Sequence, residues 1–343
     1  MPDVPELCQG QGMNLAARIA GTGSYLPARV MTNAEVCERA PTTDAWIRER
    51  LGIETRRIAA PDEQASDMGA AAARKACEAA RITPAQVDAI ICALGSGDVM
   101  VPATAAYVQH KLGITHQCPA FDVRMACAGG LGGMHLARGL LAGGLANHVL
   151  VVGTQLGSRT SVDWTDRTTA PIFGDGAGAV VVGHQTAGGG RHILASRLHS
   201  DGGLTGIVGQ FGGGTITPLS PEMLARGEHF IHMDGKAVWT VAERELPKVA
   251  REVVADTGWD ISDVDFVVSH QANRRLLLHV LGLLGIEQAR TFTNIERYGN
   301  TVSASALIAL DEAARLGHLK PGMKVLLLAI GAGMTWGGMT VEW

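Results

Sequence analysis

Short runs of apolar residues alternate along the chain with longer stretches whose apolar positions recur at helical spacing, the pattern of an α/β protein. The runs AARIAG, VDAIICALG, HVLVVGTQ and GAVVVG read as strands in the first half, and VDFVVSH and KVLLLAIG in the second. The two sets echo each other. ITPAQVDAIICALGS and WDISDVDFVVSHQAN each carry a turn, then Val-Asp, then a buried strand, and LLAGGLANHVLVVGT parallels ARLGHLKPGMKVLLLAIG. Val87 against Val264 and Val149 against Val325 give offsets of 177 and 176, so two independent landmarks share nearly one spacing.

That agreement predicts a duplicated chain whose halves, 14–185 and 186–343, meet near residue 185 in the loop HQTAGGGRH. Residues 1 to about 13 read as an N-terminal extension, with Met13 as an alternative start. The offset places Cys127 opposite Ser303 at the heads of two helices of small residues, CAGGLGGMHLARGLL and SASALIALDEAARL. Small side chains let such helices pack closely at the centre of the molecule.

Composition changes this picture little. With 343 residues, 46% of them hydrophobic and 18% charged, the chain can bury a large core as one big domain or two intimate ones. A net charge of −4 without a long basic run excludes the electrostatic footprint of a nucleic-acid binder. No uninterrupted apolar segment is long enough to span a bilayer, and the N-terminus lacks a basic region followed by an apolar one. Forty-four glycines point to tight turns and close approaches of backbone to a ligand. All six cysteines fall in the first 127 residues with no zinc spacing, which predicts reduced thiols and a cytoplasmic protein.

One cysteine stands apart. In DVRMACAGGLGG, Cys127 sits where a strand gives way to a helix. A thiol at a helix N-terminus faces unpaired N–H groups and the positive end of the helix dipole, and so is expected to ionise more readily and act as a nucleophile. His270 follows the second-half strand VDFVV directly, at the kind of strand end where α/β sites gather, and Asn300 in IERYGNTVSAS precedes the helix paired with the cysteine helix. The three are expected to converge.

The segments IAGTGSYLPARVMTN, TDAWIRERLGIETRRIAAPDEQASDMG, PAFDVRMACAGG, FGDGAGAVVV, HSDGG, MDGKAVW, SHQANRR, YGNTVSASALIALDEA and GAGMTWGG, in that order, resemble the β-ketoacyl-acyl carrier protein synthase III family of thiolase-fold condensing enzymes, from residue 16 onward. The resemblance implies an αβαβα sandwich of two duplicated halves, assembled as a homodimer, with Cys127, His270 and Asn300 as the catalytic set. It also implies that Cys127 takes an acyl group from an acyl-CoA primer while the backbone N–H groups of Cys127 and Ala332 steady the tetrahedral oxyanion. A malonyl thioester, on acyl carrier protein or on coenzyme A, then decarboxylates against His270 and Asn300 to give a 3-oxoacyl thioester. No cofactor or metal is implied. Trp46, Arg50, Arg167, Gly235 and Asn273 match positions that contact coenzyme A in the family.

Two departures bear on specificity. Val101 replaces a bulky aromatic that closes the acyl pocket in some members, which leaves room for a longer, branched or ring-bearing primer. The helix after His270 carries Arg274 and Arg275 but no later lysine or arginine up to Gly285, whereas some members present basic residues there to the acidic carrier. The same cysteine would also serve an acyltransferase of specialised metabolism that passes the acyl group to another acceptor without decarboxylation, and a non-catalytic acyl-binding partner is the third reading. GTGSYLP and GDGAGAVVVG lack the context of a dinucleotide fingerprint, His192, His199, His229 and His232 lack metal-ligand spacing, and no G-x-S-x-G element is present.

Overall fold

The computed structural model describes residues 17–184 and 190–343. The N-terminal extension and the expected junction near residue 185 lie outside the described residues. Nine strands, numbered along the chain, form the main sheet: β1 Ala17–Tyr25, β2 Ala89–Leu94, β3 Ala120–Val123, β4 His148–Gln155, β5 Gly176–His184, β6 His192–Ser200, β7 Phe266–Ser269, β8 Lys324–Gly331 and β9 Thr335–Glu342. Their order is β7-β8-β9-β6-β1-β5-β4-β2-β3.

The duplication read from two valine pairs is visible in this order. In the first half β2 pairs parallel with β3 and β4, and β4 pairs antiparallel with β5, which pairs antiparallel with β1. In the second half β7 pairs parallel with β8, β8 antiparallel with β9, and β9 antiparallel with β6. An isolated parallel bridge from Val267 to Thr291 flanks β7 as β3 flanks β2. The halves join through β1 and β6 in a short antiparallel register, Ala17 to Ile193 and Arg18 to His192.

Strands β2 and β4 are buried along almost their whole length because helices cover both faces, which explains their unbroken apolar sequence. The helices Ala65–Ala80 and Thr104–Leu112 cover the outer face of the first half, and Gly235–Ala255 and Arg274–Leu284 cover the second. Between the half-sheets lie Gly129–Ala142 and Ser305–Arg315, each packed against strands of both halves. The result is the αβαβα sandwich.

The central helices approach the sheets without side chains in the way. A Cβ on Gly153 of β4 would lie 2.5 Å from the Ser303 carbonyl, a contact that only glycine permits. Polar groups fix the same layer: Asp311, on the second-half helix, accepts hydrogen bonds from Thr22 at 2.9 Å and Ser24 at 2.6 Å on β1. Buried acceptors satisfied in this way define one register between the halves. Among the described residues no helix is long and apolar enough to cross a membrane.

Candidate active site

Both central helices begin with the same device. A 3₁₀ turn, Ala126–Ala128, precedes the helix Gly129–Ala142, and Val302–Ala304 precedes Ser305–Arg315. The residue before each pseudo-equivalent position is left-handed, with φ 44° at Ala126 and 49° at Val302. A β-branched residue in that region is strained by roughly 1–3 kcal/mol and needs its surroundings to hold it. Asn300 does so, its Oδ1 accepting the Val302 N–H at 2.8 Å. Cys127 therefore sits in a sharp turn two residues before the α-helix proper rather than in its first turn. Its counterpart Ser303 is structural, donating to the Ala93 carbonyl at 2.8 Å.

Cys127, His270 and Asn300 line one cavity of about 550 Å³. Asn300 is buried, and because its Oδ1 is held by Val302, its Nδ2 is the end left for the cavity that it shares with Cys127. His270 is buried at the end of β7, its backbone N–H donating to the Leu328 carbonyl at 2.8 Å. Gly331 ends β8 against Cys127: a Cβ there would lie 2.6 Å from the Cys127 nitrogen. Ala332 follows at the cavity wall, which sets its backbone beside that of Cys127.

The expected easily ionised thiol is not what this environment produces. Burial pushes the Cys127 thiol up to about 12, and hydrogen bonds from Asn300 and from the cysteine's own backbone oppose this only in part. The thiol is reached only through the cavity, where the loss of hydration outweighs the local N–H donors. Burial likewise pushes His270 down from 6.5 to about 3, so its imidazole is neutral at physiological pH.

The neutral ring has a definite tautomer. Ser305 Oγ accepts the Gln271 N–H at 2.7 Å and stands 2.9 Å from His270 Nδ1. The serine is buried, and its own proton has His270 Nδ1 as partner. If Nδ1 were the donor instead, a buried hydroxyl proton would be left unmatched, which costs about 1–3 kcal/mol. Nδ1 therefore accepts, and Nε2 carries the hydrogen. His270 and Asn300 thus offer uncharged N–H donors, suited to an oxygen that gains negative charge.

The other expected binding residues divide. Trp46, Arg167, Gly235 and Asn273 line the cavity, and the Arg167 guanidinium lies 5.4 Å from the centre of the Trp46 ring. A stacked cation and ring of this kind fits a nucleotide face. Asn273 is also committed to structure: its Oδ1 caps the helix Arg274–Leu284, and its Nδ2 donates to the Arg50 carbonyl at 3.1 Å. Arg50 itself is outside the cavity, its exposed side chain 3.8 Å from Glu49. Val101 is also outside, 85% exposed on the loop after β2, so within this chain it does not border the acyl space.

Sequence reading passed over Gln155, Ser96, Ser161 and Ser305. The first two had an available signal, since Gln155 ends β4 and Ser96 follows β2, both at strand C-terminal ends. Ser161 and Ser305 are recognisable only from their contacts. Among the described residues no three His, Cys, Asp or Glu side chains gather as metal ligands.

The chain is similar to known proteins along nearly its whole length. The family profile described as 3-Oxoacyl-[acyl-carrier-protein (ACP)] synthase III matches residues 121–202, and that for the C-terminal part of the same protein matches residues 254–343. A beta-ketoacyl-[acyl-carrier-protein] synthase III of Neisseria meningitidis is 40% identical over 330 residues, covering 95% of this chain and 99% of the relative. One from Symbiobacterium thermophilum is 42% identical over 325 residues, with 95% and 97% covered. The crystal structure of 3-oxoacyl-[acyl-carrier-protein] synthase III from Aquifex aeolicus superimposes with a TM-score of 0.87 at 35% identity, covering 95% of this chain and all of that one.

Proposed function

The chain belongs to the 3-oxoacyl-[acyl-carrier-protein] synthase III family, and from that premise we propose that it joins an acyl-CoA primer to a malonyl thioester by decarboxylating condensation. One observation carries the reading. A thiol, a neutral imidazole N–H and a carboxamide N–H share a buried cavity with the Gly331–Gly333 loop packed against the thiol's backbone.

In the first half-reaction the Cys127 sulfur attacks the primer's thioester carbon. The carbonyl oxygen becomes an oxyanion facing the N–H groups of Cys127 and Ala332, and coenzyme A leaves with the proton the thiol gives up. His270 does not take that proton, because its Nε2 already carries one and Nδ1 is engaged by Ser305. The acyl-enzyme is uncharged, which suits a site that resists holding a thiolate.

In the second half-reaction the malonyl thioester presents its carbonyl oxygen to His270 Nε2–H and Asn300 Nδ2–H. Breaking the bond to the carboxylate releases carbon dioxide and moves the electron pair toward that oxygen as an enolate. The enolate carbon then attacks the acyl-enzyme carbonyl, a carbon–carbon bond forms, and the Cys127 sulfur is expelled and takes a proton from solvent to restore the thiol. Pre-oriented neutral donors favour this charge because they are already aimed and need no reorganisation; one such donor contributes roughly 3–4 kcal/mol.

We infer that the natural extender rides on an acyl carrier protein, that the active form is a homodimer in the cytoplasm, and that no cofactor takes part, since substrate decarboxylation itself supplies the carbanion. The test is incubation with a panel of acyl-CoAs, intact-protein mass spectrometry, and a chase with malonyl-CoA or malonyl-carrier protein. Mass gain at Cys127 followed by carbon dioxide release and a 3-oxoacyl product is expected. An acyl-enzyme that transfers its group without releasing carbon dioxide would overturn the condensation.

A further inference from the structure

One corner of the cavity holds acceptors that nothing satisfies. Gln155 lines the cavity and is 1% exposed, yet among the described residues its Oε1 has no hydrogen-bond partner. Two glycines make the slot in which this amide lies: a Cβ on Gly95 would be 2.9 Å from Oε1, and one on Gly157 would be 2.5 Å from Nε2. A side chain at either position would displace it. The corner is thus shaped around a polar group that the protein itself leaves unpaired.

A second acceptor comes from a relay of hydroxyls. Thr160 Oγ1 donates to the Leu156 carbonyl at 3.3 Å, Ser161 Oγ lies 3.1 Å from Thr160 Oγ1, and Ser96 Oγ lies 2.8 Å from Ser161 Oγ. Since the Thr160 proton is committed to the carbonyl, Ser161 donates to Thr160 and Ser96 donates to Ser161. The relay ends on Ser96 with its lone pairs unclaimed. Ser96 and Ser161 both line the cavity beside Gln155.

The buried Gln155 amide and the half-buried Ser96 hydroxyl call for a donor from the ligand, because an unpaired polar group costs more there than in water. That donor is uncharged: among the described residues no aspartate or glutamate lines the cavity, so a cation would have no counter-charge. The rest of the group is apolar, to match walls that include Ile172, Phe173, Ile231 and Met233. We propose that the primer is an acyl thioester with an apolar body and one neutral hydrogen-bond donor, a hydroxyl or an aromatic amine, received by Gln155 and Ser96. This rests on the synthase reading and narrows its substrate class.

The experiment compares matched acyl-CoAs with and without the donor: meta-hydroxybenzoyl and aminobenzoyl against benzoyl, and ω-hydroxyacyl against unsubstituted chains of equal length. The readout is the rate of mass gain at Cys127 below saturation. At least one substituted primer should load about tenfold faster than its partner, as befits a buried hydrogen bond. Gln155→Leu and, independently, Ser96→Ala should each bring that ratio toward one. Equal loading within every pair, or a preference that survives both substitutions, overturns the proposal. If unsubstituted primers load and condense as well as the others, the synthase reading stands and this one falls; if no acyl-CoA of either kind charges Cys127, both fall.

Discussion

Ser305 Oγ stands 2.9 Å from His270 Nδ1 while accepting the Gln271 N–H at 2.7 Å, so one hydroxyl fixes both the angle of the imidazole and the nitrogen that carries its hydrogen. Ser305→Ala should let the ring exchange tautomers and slow decarboxylation by about tenfold, the effect of one lost buried hydrogen bond. Primer loading should fall less. Nitrogen-15 spectra of the His270 ring check the cause, since the wild-type enzyme should show a protonated Nε2 and a bare Nδ1, and the variant a mixture.

On the proposed mechanism, His270→Ala removes one of two donors to the enolate oxygen. Condensation should fall by a factor on the order of 10² to 10³, the usual loss for one oxyanion donor. Acyl transfer from the primer to Cys127 should persist in intact-protein spectra, because the backbone donors at Cys127 and Ala332 are untouched. Loss of loading in parallel with condensation would assign the imidazole to the first step instead.

The pH dependence of stability follows from burial of the same ring. His270 falls from 6.5 to about 3 in the folded protein. Between these values the unfolded chain holds a proton that the folded chain refuses, so stability present above about 6.5 is lost as pH falls. The slope is about 1.4 kcal/mol per pH unit across that window. Denaturant titrations should show His270→Asn less sensitive to acid than wild type by that slope. At the other end, Cys127 ionises more readily once unfolded, so stability should fall as pH rises from about 9 toward 12, and less so in Cys127→Ala.

Gly331 is the point where the second half presses on Cys127. Gly331→Ala would set a methyl group 2.6 Å from the Cys127 nitrogen and 2.9 Å from that of Ala128. Either the turn or the loop must move, at a cost of about 1–3 kcal/mol in stability. Loading should suffer more than folding, by at least about tenfold, because the oxyanion donors lose their common aim. Stopped-flow release of coenzyme A with a thermal melt separates the two effects.

Arg167 lies against the Trp46 ring at the same cavity. Arg167→Ala should raise KM for the acyl-CoA primer by about tenfold and leave the chase of a preloaded acyl-enzyme with malonyl-carrier protein nearly unchanged, since binding that is uniform along the reaction changes KM alone.

The alternation of apolar runs was enough to specify an α/β chain, and two valine spacings were enough to reveal its repeat, because strands and buried helices impose periods on the chain itself. That Cys127, His270 and Asn300 would line one cavity was legible for a related reason: each stands at a junction between elements, and a junction is a local property of sequence. Contact across the chain decided the rest. Ser305 meets His270 from 35 positions away. Ser96 meets Ser161 from 65 positions away. The thiol that a helix terminus alone would acidify is raised by the protein packed around it. Hydration, hydrogen-bond partners and proton position depend on what surrounds a group in space, and only the closed sandwich supplies those neighbours.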